Sequence, residues 1–178
     1  MTIAAILLLD QASDEKIRAL WHRLRTSGLP GGPQGENVPP HITLCISKTG
    51  NVERWAQQVA PRLLNHPRQE CVVSSVGVFP QVGLFFLGSV PTMQLREMQA
   101  EIYSTLLACA GKPDAHYRPD EWTPHITVAA GVPESRLGDA VAMTGRCIPF
   151  RVTVGRLALG EVDESTGSFQ ETRHWNFA

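Results

Sequence analysis

Hydrophobic and polar positions alternate in blocks along the chain, and the blocks read as strands and helices in turn. Ile3–Leu9 is an unbroken apolar run of strand length that stops at Asp10, the pattern of a buried strand. Asp14–Arg25 follows, with Ile17, Leu20, Trp21 and Leu24 at helical spacing and Ser13 as its expected N-cap. Gly28–Pro40 holds four glycines and four prolines and reads as a loop. His41–Ile46 is a short strand, and Val52–Leu64 is helical, with Pro61 expected to kink or shorten it. Cys71–Phe79 and Leu84–Val90 form an expected hairpin around Pro80–Gly83. Gln94–Ala108 is a second amphipathic helix, carried by Leu95, Met98, Ile102 and Leu106. A loop with three prolines, Gly111–Pro124, leads into the strand His125–Ala130. A weaker helix over Glu134–Met143 and two strands, Phe150–Glu161 and Phe169–Phe177, complete the pattern.

The blocks repeat. An apolar strand, a turn, an amphipathic helix and a proline-bearing loop lead to Pro40-His41-Ile42-Thr43. The same series, starting from Leu84–Val90, leads to Pro124-His125-Ile126-Thr127, 84 residues later. An identical tetrapeptide at matching places in two similar strings of elements reads as a tandem duplication.

Side chains alternate between the faces of a strand, so His41 and Thr43 share one face about 7 Å apart while Ile42 and Leu44 take the other. His125 and Thr127 do the same against Ile126 and Val128. The preceding proline suits a strand's first residue, where no ladder donor is needed. Halves packed about an approximate two-fold axis bring the two polar faces together across a cleft. An imidazole titrates near neutrality, so of two facing one ligand one can be neutral and the other protonated. That pair supplies a general base and a general acid on opposite sides of a phosphorus atom. Thr43 and Thr127 are then placed to donate hydrogen bonds to the non-bridging phosphate oxygens. This scheme calls for no metal and no other cofactor. Zinc on His41 and His125 lacks a third ligand at useful spacing.

The paired motifs, their separation, the chain length and the duplicated strand–helix pattern resemble the two-histidine phosphoesterase superfamily. That group includes the bacterial 2′-5′ RNA ligase-like proteins and small cyclic nucleotide phosphodiesterases. The resemblance covers essentially the whole chain, with its specific part in the two motifs. It implies an α+β, bilobal fold, a pseudo-two-fold duplication of a βαβαβ-like unit with mainly antiparallel sheets lining a central cleft. It also implies metal-independent hydrolysis of a 2′,3′-cyclic (or 2′,5′-linked) nucleotide phosphate, usually to a 2′-phosphate. His41, Thr43, His125 and Thr127 would form the site, with His125 activating water and His41 protonating the leaving 3′-oxygen. Bacterial RNA ligase-like members often carry an arginine after the second motif and an aromatic residue after the first. This chain has Ala129 and Ala130, and Ile46 and Ser47, at those places, which turns the expectation toward a smaller nucleotide.

Composition narrows the partners. With 178 residues and 43% hydrophobic content the chain is expected to form a single two-lobed domain with a sizeable core. A formal charge of -1 excludes an extended nucleic-acid surface and leaves a small nucleotide cyclic phosphate or an RNA terminus as partner. The 13 arginines against 3 lysines suit bidentate phosphate contacts and also a genome rich in arginine codons. Four dispersed cysteines read as free thiols, and the short run Ile3–Leu9 is neither signal peptide nor membrane span. A cytoplasmic, monomeric protein is expected. Before the second motif, Tyr117 and Trp122 are candidates to stack on a base and Arg118 to face a phosphate. The alternative puts Trp122 in the core and Arg118 in solvent. Alternation places Cys45 on the face of His41 and Thr43, and Lys48 at the cleft rim or in solvent. His22, His66, His116 and His174 are read as structural or solvent-facing. Two rival functions are a nucleotide-binding module without turnover and RNA 2′-5′ end-joining.

Overall fold

A computed structural model describes residues 2–33, 38–63, 66–109 and 111–178. Gln34–Asn37 of the glycine- and proline-rich loop and Leu64, the expected end of the second helix, lie outside the described residues.

The elements run β1 (Thr2–Leu9), α1 (Gln11–Thr26), β2 (His41–Ser47), α2 (Val52–Val59), β3 (Gln69–Phe79), β4 (Leu84–Val90), α3 (Met93–Ala108), β5 (His125–Ala130), α4 (Leu137–Gly145), β6 (Phe150–Val162) and β7 (Phe169–Asn176). Helix α1 begins earlier than expected. Asp10, not Ser13, caps it by accepting from the Ser13 N–H at 2.9 Å, and hydrogen bonds from the Ser13 hydroxyl and N–H hold the Asp10 carboxyl below its usual range. The Ser13 hydroxyl is buried and also accepts the Thr153 N–H of β6 at 2.9 Å. Helix α2 is cut short where Pro61 enters a 3-10 turn, Ala60–Arg62, because proline lacks the N–H that α-helical bonding needs. A second 3-10 turn, Glu134–Arg136, precedes α4.

Among the described residues all strand pairs are antiparallel, in one seven-stranded sheet of order β2-β1-β6-β3-β4-β5 with β7 added beside β6. The expected α+β duplication is present, with a crossover the repeat alone did not disclose. The unit β1-α1-β2-α2-β3 matches β4-α3-β5-α4-β6, yet β3 pairs with β4 and β6 pairs with β1. Each half lends its third strand to the other. The helices cross as well, α1 contacting β5 and α3 contacting β2. The long β6 spans both halves. Its first part pairs with β3 and its last part with β7, which continues along the same edge.

The helices pack on one face of this sheet. Ile3, Ala5 and Leu7 of β1 join Ile17, Leu24, Trp55, Leu95 and Ile102 in the main core, each large side chain worth about 1.5–3 kcal/mol on burial. Ala4, Ile6 and Leu8, alternating with them, form a smaller cluster on the opposite face with Ile46, Val162 and Phe169. The strands at the two ends of the sheet order, β2 and β5, come into contact. The helix-free face is thereby folded into a trough. Among the described residues no helix is long and apolar enough to cross a membrane.

Candidate active site

A cleft of about 310 Å³ lies in that trough. His41, Thr43, His125 and Thr127 all line it, with Tyr117, Ile6, Ile46, Ala130 and Phe169 among its other walls. The duplicated motifs therefore face one cavity, as the alternation of His41 and Thr43 and of His125 and Thr127 predicts.

The two imidazoles are held alike. His41 Nδ1 lies 2.7 Å from the Pro39 carbonyl oxygen and His125 Nδ1 lies 2.8 Å from that of Thr123. A carbonyl only accepts, so each Nδ1 carries the hydrogen and each Nε2 is the free nitrogen. Burial depresses the pKa of both rings, opposed in each by the carbonyl bond. The rings are near enough that a charge on His125 depresses His41 further, which disfavours two imidazolium ions in one cleft.

Both motif strands carry a bulge directly after the threonine. Pairing with β1 steps from Thr43↔Ile6 to Cys45↔Ala5, leaving Leu44 unpaired. Pairing with β4 steps from Thr127↔Phe86 to Ala129↔Phe85, leaving Val128 unpaired. An extra residue reverses the faces beyond it, and this corrects the expectation for Cys45. Its thiol turns into the core, where burial pushes its pKa up to about 12, and Ile46 takes the cleft position. In the second motif the same shift gives that position to Ala130. Of the positions after the two motifs, Ile46 and Ala130 are thus apolar walls of the cleft, while Ser47 and Ala129 are buried away from it.

Of the residues before the second motif, Tyr117 reaches the cleft, beside Thr43. Burial raises its phenol pKa further above the usual range, so it stays a hydrogen-bond donor. Arg118 is exposed and pairs with Glu121 at 3.6 Å. Trp122 is buried and takes the core alternative, its indole N–H donating to the Thr43 carbonyl at 2.9 Å. Lys48 is exposed and does not line the cleft. His116 pairs with Asp114 and His174 with Glu171, both near the surface.

Sequence reasoning missed Gln99. It sits 1% exposed on the apolar stripe of α3 and donates to the Leu44 carbonyl at 3.1 Å and the Tyr117 carbonyl at 2.7 Å. A lone amide on that stripe was the available signal. It also missed Phe79 and Phe86, whose rings stack 4.4 Å apart and each lie 5.0–5.2 Å from His125. Gly77 makes room for Phe86, since a Cβ there would stand 2.3 Å from the ring. Gly77→Ala is expected to cost about 1–3 kcal/mol of stability through this overpacking, read as a lower urea midpoint. An unchanged midpoint would show that Phe86 has other room.

No three His, Cys, Asp or Glu side chains among the described residues group as metal ligands.

Comparison with known proteins agrees with this architecture. The structure of E. coli LigT complexed with 3′-AMP is similar at a TM-score of 0.66 and 15% identity, over 98% of this chain and 96% of that one. TT0787 of Thermus thermophilus is similar at 0.65 and 16%, over 99% and 98%. The MHV ns2 PDE domain is similar at 0.57 and 16%, over 97% and 99%. Among curated proteins nothing matches. The family description "2′-5′ RNA ligase superfamily" matches residues 12–166, most of the chain and both histidine motifs, and the chain belongs to that superfamily.

Proposed function

We propose that this protein is a phosphodiesterase that hydrolyses a 2′,3′-cyclic nucleotide phosphate by acid–base catalysis between His41 and His125, without a metal. One observation carries the reading: two imidazoles, each tied through Nδ1 to a backbone carbonyl, line the same cleft with a threonine beside each. The neutral ring takes a proton from water at Nε2 as the water oxygen bonds to phosphorus. The bond from phosphorus to the ribose oxygen breaks, and the protonated ring delivers its Nε2 hydrogen to that oxygen. When the released oxygen is the 3′ one, the product is the 2′-phosphate. The ring pair ends with its protonation exchanged and resets through solvent.

Burial depresses both rings and the repulsion between them is mutual, so one ring is neutral while the other carries the proton; the resemblance gives the neutral, water-activating role to His125. Thr43, Thr127 and the Tyr117 phenol supply hydrogen-bond donors for the non-bridging oxygens. Among the described residues no Lys, Arg, Asp or Glu lines the cleft, which suits a singly charged diester better than a polyphosphate. The cleft volume is at the small end of the ~300–1,000 Å³ range of ligand sites.

The test is turnover of 2′,3′-cyclic nucleotides in excess chelator, followed by phosphorus NMR. Product at an undiminished rate is expected. Tight binding without product, or loss of activity on chelation, would overturn the proposal.

Because the free-enzyme pKa values of both rings lie below 6.5, the bell of kcat/KM against pH is expected to centre on the acid side of 6.5. An alkaline centre would contradict it. The same shifts act on stability. The folded state holds these protons less tightly than the unfolded one, so stability is full above 6.5 and falls as pH drops toward the folded pKa values.

A further inference from the structure

The two motifs share a support that crosses between the halves. Trp21 lies on α1, in the first half, and its indole N–H donates at 3.1 Å to the carbonyl of Thr127 in the second. Trp122, in the second half, donates at 2.9 Å to the carbonyl of Thr43 in the first. Both indoles are 5% exposed. Both accepting carbonyls sit at the bulge, where the ladder is broken and the chain turns its faces over. The next carbonyl in each bulge is also met from the opposite half: that of Leu44 by Gln99 of α3, and that of Val128 by the Gly32 N–H at 2.7 Å. Gly32, at φ +92°, presses close enough to the Trp21 ring that a Cβ would stand 3.3 Å from it.

We infer that Trp21 and Trp122 are reciprocal positioning residues, each fixing the catalytic strand of the other half through the carbonyl of its motif threonine. This rests on the function proposed above. A bulge leaves backbone groups without ladder partners, and a buried carbonyl needs a donor. With the indole in place the strand is held where His and Thr leave it toward the cleft. Without it the bulge relaxes, and a displacement of about 1 Å is enough to lower a rate about 10²-fold. Neither tryptophan lines the cleft, so binding of substrate is affected less than the chemical step.

Trp21→Phe and Trp122→Phe keep an apolar ring and remove the N–H. Trp55→Phe is the control. Trp55 is fully buried and also spends its indole N–H on a buried partner, the Thr105 hydroxyl at 3.2 Å, within the helical layer. The expected result on a 2′,3′-cyclic nucleotide is a fall in kcat of about 10²-fold for Trp21→Phe and Trp122→Phe, with KM little changed. Trp55→Phe should lower the thermal midpoint and leave kcat alone. Equal loss of thermal midpoint in all three variants with kcat retained would overturn the inference.

A second readout needs no turnover. In NMR titrations of the histidine ring nitrogens, Trp21→Phe should move His125 and spare His41, Trp122→Phe should do the converse, and Trp55→Phe should move neither. If the wild-type protein hydrolyses no cyclic phosphate, the functional reading fails, and this titration alone decides the positioning. Unmoved resonances would overturn it. Should a phenylalanine variant not fold, benzothienylalanine at the same position, matched to tryptophan in shape but without the N–H, repeats the comparison.

Discussion

His41→Ala and His125→Ala are each expected to lower kcat on a 2′,3′-cyclic nucleotide by about 10²–10⁴-fold, the usual range for one proton transfer. The two losses should not multiply in the double variant, because an acid without its base, or a base without its acid, has already lost the concerted step. Neither ring is a keystone of the fold. Each hydrogen-bonds through Nδ1 to a carbonyl two residues back, in Pro39 and Thr123, and His125 also packs against Phe79 and Phe86, so His125→Ala should be the less stable of the two while circular dichroism shows both folded. The removed limb of the pH profile is diagnostic: each variant should retain only the limb set by the surviving ring. A variant that keeps more than a small fraction of wild-type kcat would show that its imidazole is neither acid nor base.

Thr43→Val and Thr127→Val carry the second large effect. Valine keeps the branched shape a strand favours and deletes only the hydroxyl, so the loss reads as lost hydrogen bonding to phosphate. A preorganised donor of this kind is worth about 10²–10³ in kcat. Thr→Ser at either position should restore most of it, since the hydroxyl returns while a methyl is lost. Failure of serine to rescue would assign the effect to packing. Thr43 is buried beside the Tyr117 phenol, so that loss should be partly shared in a Thr43→Val, Tyr117→Phe pair.

Much of this site was legible because it was written twice. One His-x-Thr in a strand is unremarkable, but Pro-His-Ile-Thr at matching places in two strings of elements singles out four candidate residues, and the face they present is the one that lines the cleft. The apolar stripes of α1 and α3 were also plain from spacing. What periodicity could not supply was pairing. Nothing in the order of blocks says that β3 lies against β4 while β6 lies against β1, since partner choice depends on contacts distant in the chain. The bulges were hidden for a related reason. Alternation counts residues, and Leu44 breaks the count, so alternation alone puts Cys45 on the wrong face. Trp122 belonged to two patterns at once, an aromatic near a nucleotide motif and an aromatic of the core, and burial decided for the second. Gln99 is invisible to periodicity because a single polar residue does not alter a helical stripe.

The traded third strands say something about assembly. Residues 2–79 lack the strand that covers the open edge of β1, and residues 84–178 lack the one that covers β4; each fragment finds it only in the other. A chain cut in the turn at Gln81 should therefore yield two pieces that are insoluble or unfolded apart and reconstitute when mixed. The same geometry is what results when two identical polypeptides, associated by swapping a terminal strand, become joined end to end.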